Sequence, residues 1–151
     1  MARKSWLAVV GVVVALVSLA LFISACGGGE EAPAETAAEA TTIDVRLSEF
    51  KVSLSADTAP AGTVTFGLMN DGTVIHNLRV IKTDLAADEL PVDEAAFTVD
   101  EDQVDVLASG SNLEAGAEEE VTADLAAGSY VLICNIPTHY DAAMHTAFTV
   151  E

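Results

Sequence analysis

From residue 43 onward, apolar and polar residues alternate with a period of two in short bursts. Ile43, Val45 and Leu47 share one parity, and Phe50, Val52 and Leu54 share the other. The phase flips at Ser48-Glu49, which predicts a bulge or bend that lets one strand keep its apolar side inward. Pro60-Ala61-Gly62 reads as a turn, Val64, Phe66 and Leu68 as a strand, and Asn70-Asp71-Gly72 as its closing turn. His76, Leu78 and Val80 share a parity, as do Val121, Ala123 and Leu125, then Tyr130, Leu132 and Cys134, then Phe148 and Val150. Between these strands lies an acidic stretch, 84–103, with a short helix expected around Asp93 to Phe97. Short strands separated by turns, with one weak helical pattern, predict an all-β, antiparallel β-sandwich over 43–151. No internal repeat is visible.

The residues before this unit follow other rules. Arg3 and Lys4 precede an almost unbroken apolar run from Leu7 to Ile23, and Ser24, Ala25 and Cys26 follow it. A charged head, an apolar stretch and small residues make a secretory signal. Cysteine directly after Ile-Ser-Ala resembles a lipoprotein signal, which implies cleavage after residue 25 and lipid on Cys26. The alternative is an uncut N-terminal anchor helix, because the run is at the lower limit for spanning a bilayer. Residues 26–42 are small and acidic without apolar periodicity, as in a flexible linker. Either reading puts the rest of the chain outside the cytoplasm, in the cell envelope, tethered to a membrane.

Charge then narrows the partners. The chain of 151 residues has a formal net charge of −18. All its acids follow Cys26, where the only bases are Arg46, Lys51, Arg79 and Lys82. Nucleic acid and anionic membrane surfaces are repelled, and a basic protein partner is attracted at low salt. Solubility at a cell surface is an equally good account of the charge.

The chemistry concentrates near the C-terminus. In YVLICNIPTHYDAAMHTAFTV, Cys134, His139 and Met144 stand at C-x4-H-x4-M spacing, and His76 stands far upstream in NDGTVIHNL. A cysteine left over in an exported chain points to intermolecular pairing or to a reactive or ligating role. Taken singly, His76 reads as a hydrogen-bonded residue beside a turn, Met144 as core filler and Cys134 as a small buried hydrophobe. Together, one thiolate, two imidazoles and a thioether suit copper: Cys and two His give a trigonal plane, and a weak Met sits on its axis. Zinc sites favour Cys, His and carboxylate instead. Strand parity turns His76, Cys134 and Met144 inward, with His139 on the loop between. Pro137 stiffens that loop. Asn77 is either a group that ties the ligand loop to its neighbour or a simple strand-end polar residue. His145, next to Met144, is expected to face outward and is not assigned to the metal.

NDGTVIHN and CNIPTHYDAAM resemble the cupredoxin family of small blue (type 1) copper proteins, with loop spacing of the rusticyanin and sulfocyanin type. The resemblance covers 43–151. It implies a Greek-key sandwich, one copper held by His76, Cys134 and His139 with Met144 axial, and a monomeric carrier of single electrons between a redox donor and acceptor. The alternative is copper handling, as a store or as delivery to an oxidase, although such chains usually add Met- or His-rich tracts. Catalysis is not expected, because only three histidines are present and a second copper centre needs more. A metal-free adhesive sandwich leaves the four-residue coincidence unexplained.

Overall fold

The structure, a computed structural model, describes residues 40–151. The expected signal segment 1–25, Cys26 and nearly all of the linker lie outside the described residues. No helix among the described residues is long and apolar enough to cross a membrane.

Two sheets face each other. The first has β1 (Thr41–Ser48), β2 (Lys51–Leu54), β4 (Gly62–Asn70) and β9 (Glu118–Leu125) in the order β2-β1-β4-β9. The second has β3 (Thr58–Ala59), β5 (Arg79–Lys82), β8 (Asp105–Ser109), β10 (Gly128–Ile133) and β11 (His145–Val150) in the order β3-β11-β10-β5-β8. The chain crosses between sheets from β2 to β3, from β3 to β4, from β4 to β5, from β8 to β9 and again from β9 to β10. The sandwich is as expected. Its sheets are mixed, however, because β1 lies parallel to β4 and β3 parallel to β11.

The apolar parities meet in the middle. Val45, Leu47, Val64, Phe66, Leu78 and Leu132 are fully buried between the sheets. Phe66 and Phe148 pack edge to face at 5.6 Å between ring centroids, a favoured aromatic geometry. A second apolar cluster of Ile81, Leu90, Val99, Val131, Ile133 and Tyr140 lies on the opposite face of β5 and β10.

Two local expectations are corrected. The phase flip at residues 48–49 is no bulge in one strand. It is a hairpin, in which Ser48 pairs with Lys51 and Val45 with Leu54 around a turn at Glu49 and Phe50. Phe50, the second residue of the turn, takes a left-handed φ of 61°, as in a type II turn, and leaves the core at 55 % exposure. No helix forms at 93–97 either. Those residues make the turn of a small ribbon between β6 (Val92–Asp93) and β7 (Thr98–Val99), followed by a 3-10 turn at Glu101–Gln103.

Candidate metal centre

The alternation along β10 carries one residue past the strand end and delivers Cys134 into the core at full burial. His76 is delivered by the turn after β4. There Asn70, fully buried, donates from Nδ2 to the carbonyls of Val74 (2.8 Å) and Leu113 (2.9 Å) and accepts from the Gly72 N–H (2.9 Å). His76 then bridges to Leu113 through both backbone groups, at 3.2 and 2.8 Å. Its ring is thereby fixed at full burial under the NDG turn.

His139 arrives on the loop between β10 and β11. That loop closes on itself: the Met144 N–H donates to the His139 carbonyl (3.0 Å), and the Cys134 N–H donates to the Met144 carbonyl (2.9 Å). Met144 is fully buried in the same core cluster as Cys134. His145 lies outside this group, with its ring 5.1 Å from that of Tyr140.

Three donor atoms converge. His76 Nδ1 and His139 Nδ1 are 3.2 Å apart, and Cys134 Sγ is 3.7 Å from the first and 3.4 Å from the second. The point equidistant from all three lies about 2.0 Å from each, close to the bond lengths of roughly 2.0–2.3 Å that imidazole and thiolate make with zinc. Three lone-pair atoms so placed suit a shared cation. The soft donor set, with a buried thioether beside it, fits the ligands of a type 1 copper site.

The surroundings hold these donors ready. Burial pulls both histidine pKa values below the ordinary one, which keeps the rings neutral and their lone pairs free. Burial pushes the Cys134 thiol up. N–H groups of Asn77 and Ile136 and the charge of Arg79 partly offset that rise. The Asn77 N–H lies 3.4 Å from Cys134 Sγ. The Asn77 side chain accepts from the Asn135 N–H (2.8 Å) and donates to Asn112 (3.0 Å). Asn77 thus ties the Cys134 end of the loop to the segment that carries His76. His76 Nε2 is the one buried side-chain nitrogen or oxygen without a hydrogen-bond partner among the described residues.

All four expected donors therefore lie at one pole of the sandwich. The sequence reading missed several neighbours. Phe50 meets the His139 ring edge-on at 6.1 Å, and Glu49 accepts hydrogen bonds from Thr73 and Val74 in the His76 loop. Both sit on the hairpin turn that stands where a bulge or bend within one strand was expected. Gly72 packs against His76, and its presence in NDG was the available clue.

Comparison with protein-family models and with curated proteins gives no match. Solved structures do match. Auracyanin from the photosynthetic bacterium Roseiflexus castenholzii is 27 % identical, with a TM-score of 0.56 over 74 % of this chain and 98 % of that one. Auracyanin A, a "blue" copper protein from Chloroflexus aurantiacus, is 25 % identical, with a TM-score of 0.52 over the same shares. Rusticyanin from Thiobacillus ferrooxidans shares the fold at 17 % identity and a TM-score of 0.50, over 74 % of this chain and 79 % of that one. With a sandwich that matches theirs and a Cys, two His and a Met gathered at one end, the chain has the cupredoxin fold and a donor set consistent with a type 1 copper site.

Proposed function

We propose that this protein is an extracytoplasmic carrier of single electrons, held to a membrane through lipid on Cys26 and not itself an enzyme. The observation that supports it best is the triangle of His76 Nδ1, His139 Nδ1 and Cys134 Sγ, with edges of 3.2, 3.4 and 3.7 Å. Copper bound there would supply a one-electron couple.

The protein's own part is to hold the donors still. Cys134 offers its sulfur once deprotonated, an ionisation that burial opposes and metal binding offsets. His76 and Cys134 come from separate segments, ahead of β5 and just past β10, joined through Asn77, so their separation is set by the sandwich. Met144, buried and bonded through its backbone to Cys134 and His139, would offer its thioether. His139 is only half-buried, unlike His76, and its ring meets exposed Phe50. It is the donor through which an electron leaves or enters. The redox donor and acceptor are proteins with basic surfaces, attracted by the chain's negative charge.

Copper storage or delivery would use the same donors. Full burial of Cys134, His76 and Met144 favours retention over hand-off. A redox titration of the copper-loaded, detergent-solubilised full chain tests the choice. Reversible bleaching and return of a thiolate-to-copper band, with fast electron exchange, is expected. Slow exchange together with rapid loss of copper to a chelator would favour delivery instead.

A further inference from the structure

The acidic excursion between β5 and β8 is no idle insertion. Its acidic residues other than Asp100 are exposed, while Leu90 and Val99 pack onto Ile81, Val131, Ile133 and Tyr140 on the outer side of the second sheet. That packing lays it against the loop of residues 134–144, which carries three of the four metal donors on its inner side.

Polar contacts then stitch the two segments together. The Thr138 N–H donates to the Phe97 carbonyl at 2.7 Å. Asn135 accepts from the Val99 N–H at 2.8 Å and donates to the Val99 carbonyl at 3.2 Å and to Glu101 at 2.8 Å. The Tyr140 hydroxyl accepts from the Leu90 N–H and donates to the Ala87 carbonyl, each at 2.9 Å. Thr138 and Phe97 meet with left-handed backbones, at φ 73° and 57°. Such values are rare for a β-branched or bulky residue and persist where neighbours over-determine them.

We propose that this excursion is a clamp that fixes the metal-binding loop from outside, with Tyr140 and Asn135 as its positioning residues. The inference rests on the copper reading above. Asn135 and Tyr140 each sit directly beside a donor, Cys134 and His139, and point away from it into the excursion. Tension on either donor therefore passes to a packed apolar cluster. The donors keep one arrangement before copper binds and in both of its oxidation states, which favours fast electron exchange.

Two variants test the clamp. Tyr140→Phe keeps the ring in its apolar cluster and deletes both hydroxyl bonds. Asn135→Ala deletes the three side-chain bonds to the excursion. In the metal-free full chain, amide hydrogen exchange over residues 135–143 should quicken about tenfold in both, with β1 and β4 unchanged. In the copper-loaded chain, the relative intensities of the thiolate-to-copper bands and the copper hyperfine splitting should shift, and electron self-exchange should slow. Wild-type exchange rates over the loop would overturn the clamp. So would wild-type copper spectra and self-exchange in variants that have merely lost thermal stability. A wild-type chain that takes up copper without a blue band would sink the copper reading instead, and the hydrogen-exchange arm alone would then decide whether the clamp exists.

Discussion

Gly72 is the smallest residue near the site and one of the most constrained. A Cβ there would lie 2.9 Å from His76 Nε2 and 2.9 Å from the Glu49 carboxylate, inside van der Waals contact with both. Neither can retreat easily, because His76 is fully buried and Glu49 is hydrogen-bonded to Thr73. Gly72→Ala should therefore tilt the His76 ring and weaken copper binding by about 10–100-fold, the usual range for disturbing a ligand's support. Competition with a copper chelator measures this, and an unchanged affinity would show that the ring has room to move. The donors themselves were legible in the sequence, because Cys, His and Met at fixed spacing narrow the metal by chemistry alone. Gly72 was not, because its role lies in proximity to a carboxylate more than twenty positions away.

At the scale of elements, strand parity placed the core correctly along β4, β9, β10 and β11. It failed at β1–β2, since a two-residue hairpin flips the phase of alternation just as a bulge does. That turn has work beyond chain reversal. Glu49 accepts from the Thr73 and Val74 N–H groups and from the Thr73 hydroxyl, so it pins the loop that leads to His76. Bonds from the Thr73 backbone and side chain hold its carboxyl down from 4.5 to about 2. The stabilisation is present above the ordinary value and fades as the pH falls towards the depressed one. Glu49 is exposed, so the effect is small. Denaturant midpoints should show Glu49→Gln less stable than wild type near neutrality, with the gap closing between about pH 5 and pH 2. A gap independent of pH would remove the carboxylate from the account. The excursion between β5 and β8 escaped the sequence for another reason. Its inward apolar residues are separated by acids and turns, with no period to read.

Across the described residues, the core of the sandwich is apolar except at one end, where Asn70, His76 and Asn77 are buried at the donor cluster. The His76 ring is buried and the His139 ring half-buried, and desolvation pulls both pKa values below the ordinary histidine value, which favours the neutral rings. As the pH falls, the unfolded chain takes up protons first. The metal-free protein should therefore lose stability on acidification below about pH 6.5, and gain it as the pH rises through that value. Thermal melts across that range read the slope, and a His76→Gln, His139→Gln double variant should flatten it. An equal slope in both proteins would place the titrating groups elsewhere. The central claim is that a sulfur and a ring nitrogen from the β10–β11 loop share one copper with a ring nitrogen from the segment after β4. The absorption spectrum of the copper-loaded full chain, recorded beside that of Cys134→Ala, tests it most directly. An intense blue band in the wild type, absent from the variant, is the predicted result. A colourless wild type, or a variant that keeps the band, would contradict it.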